Sequence, residues 1–385
     1  MQVFRGFHHP GIAAQCALTI GNFDGVHRGH QAMLALLLSE ARHRGLPTCV
    51  LTFEPHPRDF FSMKMGKPAL APARIATLRD KLQELARCGI DQVVVLRFDE
   101  ALASLSAQDF IQQVLVDGLG TRYALVGDDF RFGAKRQGDY ATLDAAGQRL
   151  GFDVARMMSY EVHGLRVSSS AVREALAAGD MDGAARLLGR PYAISGHVIH
   201  GQKLGRQLAE SAPGAADGFR TLNLKFDHDK PAAHGIFAVR VHGLDGEASG
   251  PGAAPGVAQP SFAHSGPAPL PATGPTALNA PSPLVLDGVA SLGVRPTVED
   301  AGRVLLEVHA LDWPVALAER LGPREAYGKL VRVELLHKLR DEARYDGLDA
   351  LTAAIREDVR QARAYFAQQA SPHAAVRRQT TRDRI

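Results

Sequence analysis

Cysteine is scarce in this sequence, with three residues, and none of them stands in a C-x-x-C pair. Cys16, Cys49 and Cys88 lie in or beside apolar runs, which predicts buried free thiols in a reducing compartment. No apolar run approaches the roughly 20 residues of a membrane-spanning helix. Residues 1–11 also lack the basic start and apolar block of a signal peptide. These absences predict a cytoplasmic protein that does not enter a membrane.

Charge of one sign is also scarce. The 44 Lys and Arg against 41 Asp and Glu give a net charge of +3 over 385 residues. A basic run of the kind that nucleic-acid binders present occurs only at the C-terminal end. Small anionic molecules therefore suit this composition better than nucleic acid does. The length favours two domains, and the 45% of apolar residues supply a core for each.

The first half of the chain alternates short apolar runs with helical patterns. Strands are predicted at 17–20, 46–53, 92–98, 122–126 and 152–158, and helices at 30–44, 75–88, 108–116, 139–150, 170–178 and 181–189. This alternation predicts an α/β domain of the Rossmann type, with a parallel sheet between two layers of helices. Ligands of such sheets bind at the carboxyl ends of the strands.

The second half changes its pattern. Alternating runs at 197–200, 221–226, 235–242, 304–311 and 329–336 predict an antiparallel β-barrel or sandwich. An amphipathic helix is predicted over 348–366, packed on that barrel. Residues 245–283 are rich in Gly, Ala, Pro and Ser, and residues 367–385 form a basic, polar tail. Both segments are predicted to be disordered, because neither can bury enough apolar surface.

The most informative segment is residues 21–30, with the sequence GNFDGVHRGH, between a predicted strand and a helix. A helix N-terminus offers free N–H groups to a phosphate, and Gly25 and Gly29 permit a close approach. His27 and His30 share one helix face and can steady a leaving pyrophosphate. A plain glycine turn and a zinc site are the alternatives. The strand–turn–helix context disfavours the first, and the lack of a third ligand nearby disfavours the second.

Three further blocks occupy strand ends or helix starts. They are TFEPHP at 52–57, VGDDFRFG at 126–133 and RVSSSAVR at 166–173. Ser168, Ser169 and Arg173 suit phosphate binding at a second helix N-terminus, with Arg173 giving a forked contact. Phe130 and Phe132 suit packing against a flat aromatic ligand, with core packing as the alternative.

The four blocks together resemble the nucleotidyltransferase signature of the bacterial bifunctional riboflavin kinase/FAD synthetases. The resemblance implies that residues 1–188 transfer AMP from ATP to FMN, by positioning and charge stabilisation rather than through a protein nucleophile. It implies ATP contacts in this domain at Gly21, Asn22, Phe23, Gly25, His27, Gly29, His30, Ser168, Ser169 and Arg173. It implies flavin contacts at Pro55, His56, Pro57, Asp129, Phe130 and Phe132.

The same family has a riboflavin kinase module, which residues 189–366 resemble. SGHVIHGQKLGR at 195–206 resembles its glycine-rich turn, implying that Gly201, Gly205 and Arg206 cover ATP phosphates. Thr221 and Asn223 share one strand face, and their oxygens suit Mg²⁺. The resemblance makes Glu307 the general base for the riboflavin hydroxyl, against the ordinary alternative of an exposed strand glutamate. The block at 288–297 adds Arg295 as a flavin contact.

This chain also departs from the kinase pattern. An insert at 209–217 separates the glycine-rich turn from the metal-binding strand, and Arg220 stands where the family has proline. Three hypotheses follow: a bifunctional transferase, an FAD synthetase with an impaired or inactive kinase, and a flavin-binding protein without turnover. The retained Thr221, Asn223 and Glu307 favour the first over the second, and the intact N-terminal blocks disfavour the third.

Overall fold

The computed structural model describes residues 1–162, 165–199, 221–226, 230–245, 284–294, 304–313 and 326–370. The predictions of a short insert at 209–217 and of disorder at 246–283 and 371–385 lie outside these residues. Among the described helices, none combines the length and the apolar character needed to cross a bilayer.

The N-terminal domain is built on a six-stranded sheet of order β1-β4-β3-β2-β5-β6, in which every neighbouring pair is parallel. Its strands are β1 Gln2–Arg5, β2 Cys16–Ile20, β3 Thr48–Glu54, β4 Gln92–Arg97, β5 Thr121–Gly127 and β6 Asp153–Met157. A small hairpin of β7 Glu161–Val162 and β8 Leu165–Arg166 follows. The central strand β2 is buried along its whole length, as parallel sheets covered on both faces require. The predicted α/β class is confirmed.

Helices cover both faces of this sheet and create two apolar cores. They are α1 Arg28–Arg44, α2 Pro57–Lys64, α3 Leu78–Arg87, α4 Glu100–Ser104, α5 Ala107–Asp109 continued by a π-helix at Phe110–Gly118, α6 Tyr140–Leu150, α7 Ser169–Ala178 and α8 Met181–Leu188. The helix predicted from residue 75 begins only at Leu78, because the Thr77 hydroxyl accepts the Asp80 N–H and caps it. The sequence analysis missed α2, a short helix that begins with Pro57 at its first position.

The C-terminal domain is a closed antiparallel barrel of order β10-β13-β12-β11-β14-β9, so the structure selects the barrel over the sandwich. Its strands are β9 Tyr192–Ile199, β10 Thr221–Lys225, β11 Gly235–His242, β12 Val285–Val294, β13 Val304–Ala310 and β14 Leu330–Arg340. Alternate side chains such as Leu224, Phe237 and Leu306 fill the interior. The intervening residues therefore face outward.

A long C-terminal helix, α9 Leu348–Ala370, packs on the outside of the barrel, as predicted. Val359, Ala362 and Phe366 contact a barrel patch that includes Ile236 and Ala238. The helix passes the predicted end at residue 366, so residues 367–370 continue it and do not belong to a disordered tail.

The two domains share an apolar core. Ile75, Val172, Leu176 and Leu188 from the N-terminal domain are buried in the same cluster as the barrel interior. Backbone hydrogen bonds reinforce this junction, because the Arg74 N–H donates to the carbonyl of residue 230 at 2.9 Å. The segment between α2 and α3 is therefore fixed by both domains.

Removing the Arg340 side chain is expected to loosen α9. Arg340 forms two 2.7 Å contacts with Asp358, which is buried on α9. Arg340→Ala leaves that carboxylate unpaired, so we expect a loss of roughly 2 kcal/mol in unfolding free energy, less than for a fully buried pair because Arg340 is part-exposed. Urea denaturation measures the loss. Arg360→Ala, which breaks a surface pair with Glu357, is the matched control, and an equal loss in both variants would contradict the prediction.

Candidate active site

A cavity of about 670 Å³ opens beside the carboxyl ends of β2, β3 and β5. This volume suits a small-molecule ligand, and the position is the one expected for a parallel sheet. Fourteen of the predicted residues line it, namely Gly21, Asn22, Phe23, His27, Gly29, His30, His56, Pro57, Asp129, Phe130, Phe132, Ser168, Ser169 and Arg173. Gly25 and Pro55 are absent from the lining of this cavity.

The segment from residue 21 to residue 27, called here the phosphate loop, has an unusual backbone. Phe23 and Val26 have φ angles of 49° and 42°, and Gly25 has φ 83°. Left-handed conformations of bulky or β-branched residues cost on the order of 1–3 kcal/mol each, so the surroundings must hold them. A Cβ on Gly25 would also lie 2.7 Å from the Cγ2 atom of Ile75. Gly25 thus serves the turn and the packing below it, and its close approach to phosphate stays a prediction.

Side-chain donors occupy the carbonyl groups of this loop. The Asn22 carbonyl accepts a hydrogen bond from the Thr52 hydroxyl at 3.3 Å. The Asp24 carbonyl accepts one from the Ser169 hydroxyl at 3.1 Å. Carbonyl oxygens repel phosphate, but these two accept hydrogen bonds from side chains of the protein. The Ser169 hydroxyl predicted to bind phosphate is therefore already committed as a donor.

Asp24, which the sequence analysis did not single out, anchors the loop from below. Its carboxylate is 2% exposed, accepts the N–H groups of Ile75 and Ala76, and lies 2.6 Å from Nη2 of Arg173. Burial would raise the pKa of Asp24, but the guanidinium groups of Arg173 and Arg74 and the two N–H groups outweigh it and lower the pKa. Asp24 is therefore ionised at neutral pH.

Arg173 makes two contacts within the protein that the sequence did not predict. Its Nε donates to the Ala73 carbonyl at 2.6 Å and its Nη2 to Asp24. These bonds use two of the five N–H donors of a guanidinium. Arg173 also lines the cavity, and the forked phosphate contact stays a prediction that concerns only its remaining donors.

Three helices begin at the cavity. His27 caps α1, His56 caps α2 and Ser168 caps α7, each through a side-chain atom that accepts a backbone N–H. The N-termini of α1 and α7 abut, because a Cβ on Gly29 would lie 3.2 Å from the Val167 carbonyl oxygen. Helix N-termini carry partial positive charge and free N–H groups, so this edge of the sheet is suited to an anion.

The two motif histidines form a stacked pair. Their ring centroids are 3.7 Å apart, and Nδ1 of His27 accepts the backbone N–H of His30 at 3.3 Å. Burial lowers the pKa of His27 to about 4, although the charge of Asp24 opposes the shift. Burial, and then the charges of His27 and Lys81, lower the pKa of His30 as well. Both rings are neutral near pH 7, and the Nε2–H of His27 is a hydrogen-bond donor.

Several lining residues were not assigned from the sequence. They include five cationic residues, namely Arg58, Arg131, Lys135, Arg136 and Arg166, and three aromatic residues that pack together, namely Phe53, Phe61 and Phe98. Arg131 and Arg166 fall inside the quoted blocks, so their charge was an available signal. The three aromatics come from β3, α2 and the end of β4, and only the fold brings them together.

The predicted flavin contacts differ in burial. Phe132 belongs to the apolar core and packs on Phe110, whereas Phe130 stacks on Phe132 at 5.2 Å and stays half-buried. Core packing therefore accounts for Phe132, and Phe130 has the more accessible ring. The Asp129 carboxylate is exposed and lies 3.6 Å from Nη2 of Arg166. His56 is buried, and burial, followed by the nearby charge of Arg74, lowers its pKa to about 3.

A second group of predicted residues meets on the outer face of the barrel. Glu307 on β13 lies opposite Asn223 on β10 and Ser291 on β12, so the three side chains share a face. Asn223 is 7% exposed, and its Oδ1 accepts no hydrogen bond within the described part of the chain. Thr221 follows on the same face and is exposed. Gly201, Gly205, Arg206 and Arg295 lie outside the described residues.

Comparison with known proteins gives a match for each half of the chain. Residues 9–171 match the FAD synthetase family model, and residues 188–366 match the riboflavin kinase model. A bifunctional riboflavin kinase/FMN adenylyltransferase from Escherichia coli (strain K12) is 41% identical over 368 residues, which cover 95% of this chain and 98% of that protein. The chain belongs to the bifunctional riboflavin kinase/FMN adenylyltransferase family.

Other family members are similarly close. Proteins of the same description from Pseudomonas fluorescens and Haemophilus influenzae are 42% and 39% identical, over 95% of this chain and 98% and 99% of theirs. A crystal structure described as a macrolide-efflux protein from Streptococcus pneumoniae has a TM-score of 0.67, at 22% identity, over 94% of this chain and 99% of that one. At this identity the likeness concerns the fold alone. The predicted family is thus confirmed.

The buried histidines predict a pH-dependent stability. The folded-state pKa values of His27 and His56, about 4 and 3, lie below the 6.5 of an unfolded histidine. The unfolded chain therefore binds more protons between pH 6.5 and 4, and the unfolding free energy falls as the pH is lowered, by at most about 1.4 kcal/mol per pH unit for each group. Denaturation at a series of pH values measures this slope.

His27→Gln should flatten that slope, since it removes one of the groups responsible. His43→Gln, at an exposed position of α1, is the matched control. Equal slopes in the wild type and in His27→Gln would refute the assignment of a neutral, buried His27.

Proposed function

We propose that this chain phosphorylates riboflavin to FMN on the barrel and adenylylates FMN to FAD in the α/β domain. The observation that carries the proposal is the 670 Å³ cavity, where three helix N-termini and two stacked neutral histidines meet in a member of this family. We divide the chain at residues 188 and 189, between α8 and β9, and place the second domain at 189–370. A cytoplasmic location is part of the same proposal.

In adenylyl transfer, a phosphate oxygen of FMN attacks the α-phosphorus of ATP, and the bond to the β-phosphate oxygen breaks to release pyrophosphate. His27 and His30 donate hydrogen bonds to the phosphates, with the free N–H groups of α1 and α7 beside them. The Ser168 hydroxyl and the free N–H groups of Arg173 add donors. Neutral imidazoles suit this role because they donate hydrogen bonds without a proton being lost or gained.

The flavin ring is proposed to lie against the accessible face of Phe130, with His56 and Pro57 at the start of α2 close by. Phe53, Phe61 and Phe98 provide further aromatic surface in the same cavity. Flat aromatic ligands favour stacked or edge contacts with such side chains. The exposed carboxylate of Asp129 is available to the polar groups of the ligand.

In the kinase reaction, Glu307 accepts the proton of the ribityl 5′-hydroxyl as its oxygen attacks the γ-phosphorus, and ADP leaves. Thr221 and Asn223 are the proposed holders of Mg²⁺, an ion that offsets the charge of ATP phosphates when bound. Oxygen donors suit this ion, and the buried Oδ1 of Asn223 has no partner among the described residues. Asn223 stands directly opposite Glu307.

The alternative of an impaired kinase rests on the 209–217 insert and Arg220, both outside the described residues. The register of Asn223 with Glu307 supports the bifunctional proposal instead. The relatives from three organisms, whose matches cover 95% of this chain, carry both activities in their descriptions.

Variants of the two sites should separate the two reactions. We expect Glu307→Gln to slow FMN formation by about 10²–10⁴-fold, the usual effect of losing a general base, with FMN-to-FAD conversion unchanged. The double variant His27→Ala/His30→Ala should show the reverse. The measurement is chromatography of flavins after incubation with riboflavin or FMN, ATP and Mg²⁺.

The wild-type protein provides the control for both variants. FMN and FAD from riboflavin support the bifunctional proposal, and FAD formed only from added FMN indicates the inactive kinase. Loss of both steps in either variant would contradict separate sites.

Replacing Asn223 should change the metal requirement of one reaction only. Asn223→Leu removes the amide oxygen at similar volume, so we expect the Mg²⁺ concentration for half-maximal FMN formation to rise severalfold, with that for FAD formation unchanged. Asn223→Asp keeps an oxygen donor and is the matched control. Equal Mg²⁺ curves for the wild type and Asn223→Leu would remove this residue from the proposed metal site.

A further inference from the structure

Arg190 is a linker residue that contacts the phosphate loop but does not line the cavity. It lies between the end of α8 and the start of β9. Its Nη2 donates to the Gly25 carbonyl at 2.7 Å, and its Nη1 lies 3.2 Å from the Val26 carbonyl and 3.1 Å from that of Leu188. One guanidinium thus holds two successive carbonyls beside the left-handed Val26.

Gln31 supports the same point from α1. Its Nε2 donates to the carbonyls of Val26 and Leu188, at 2.9 and 2.8 Å. The phosphate loop and the last residue of α8 are therefore joined by two side chains, of which only Arg190 also carries charge.

A buried carboxylate links Arg190 to the barrel. Glu84 on α3 is 6% exposed, and its Oε2 lies 3.2 Å from Nε of Arg190. Its Oε1 lies 3.1 Å from Nη1 of Arg332 on β14 and 2.7 Å from Nη1 of Arg87. Arg332 and Arg190 thus grip opposite oxygens of one carboxylate. The chain of contacts runs from the barrel wall through α3 and the linker to the loop.

The space around these groups is too small for a ligand. The crevice lined by Gly25, Glu84, Arg190 and Arg332 has a volume of about 10 Å³, which is at most that of one water molecule. The crevice is therefore not a ligand-binding site, and its side chains form a close contact between the two domains. Rigid, charge-assisted contacts of this kind fix geometry.

We infer that Arg190 is a positioning residue for adenylyl transfer, and that Arg332 holds it in place through Glu84. The phosphate loop of the N-terminal domain then takes its working geometry only when the barrel is docked. Arg190 does not line the 670 Å³ cavity, so we expect it to act through the backbone of residues 25 and 26 and not by direct contact with ATP or FMN. The inference rests on the adenylyl transfer proposed above.

Full-length variants test this inference in two separate assays. We expect Arg190→Ala to lower kcat for FAD formation from FMN by about tenfold or more, because small misplacements of reacting groups have large effects on rate. The KM for FMN and the rate of riboflavin phosphorylation should stay within about twofold of the wild type. The kcat of Arg190→Lys for FAD formation should lie between those of the wild type and Arg190→Ala, since an ammonium group keeps the charge but not the forked geometry of a guanidinium.

Arg332→Ala tests the same series of contacts from the barrel side. It should lower kcat for FAD formation by about threefold while leaving FMN formation unchanged, and it should have no further effect in an Arg190→Ala background. The matched control is Arg240→Ala, which removes an ion pair with Asp287 on the outer face of the barrel and should affect neither reaction.

The outcomes are distinguishable. A wild-type protein that forms no FAD from FMN would refute the proposed function itself. An active wild type with unchanged kcat in Arg190→Ala would overturn the positioning role, as would a parallel loss of both reactions in Arg332→Ala. If Arg190→Ala does not fold, Arg190→Lys and Arg332→Ala decide the question by the same criterion.

Discussion

The buried ion pair of Asp24 and Arg173 is the interaction on which the N-terminal site depends. It ties the middle of the phosphate loop to α7 at 2.6 Å, while the same carboxylate receives two N–H groups of the segment that precedes α3. The Asp24 carboxylate therefore joins three segments that are distant in sequence. Such a pair gives little net stability, since desolvation opposes the attraction, but breaking it leaves a bare buried charge. Its value here is geometric, because it holds a strained loop in one conformation.

Burial gives the same site its chemical character. Histidines that were charged would repel each other when stacked at 3.7 Å, and burial keeps them neutral. The positive character of the cavity comes instead from the helix N-termini and from arginines at its wall. Permanent dipoles and always-charged guanidinium groups do not change with pH near neutrality. The site therefore combines a fixed positive field with hydrogen-bond donors that need no proton exchange.

The sequence predicted the architecture and fourteen residues of the cavity wall, because strand–turn–helix junctions converge at one sheet edge by geometry alone. It could not predict what each side chain binds there. The RVSSSAVR block predicts that Arg173 binds phosphate. In the structure, Arg173 forms an ion pair with Asp24 of the GNFDGVHRGH block. The same block predicts that Gly25 allows phosphate to approach the backbone. In the structure, the Ile75 side chain fills the space where a Cβ of residue 25 would lie. The edge strand β1 and the short helix α2 escaped prediction because neither has a periodic apolar pattern long enough to detect. Arg190, Glu84 and Arg332 are far apart in sequence, and only the docking of two domains makes them neighbours.

The apolar cluster at the domain junction has a consequence for how the chain can be divided. Ile75, Val172, Leu176 and Leu188 are buried against the barrel interior, not within the α/β domain. A fragment that ends at the linker would turn this surface to water, and exposed apolar patches of that kind promote self-association. The shared core therefore makes the presence of both domains in one chain favourable for solubility as well as for chemistry.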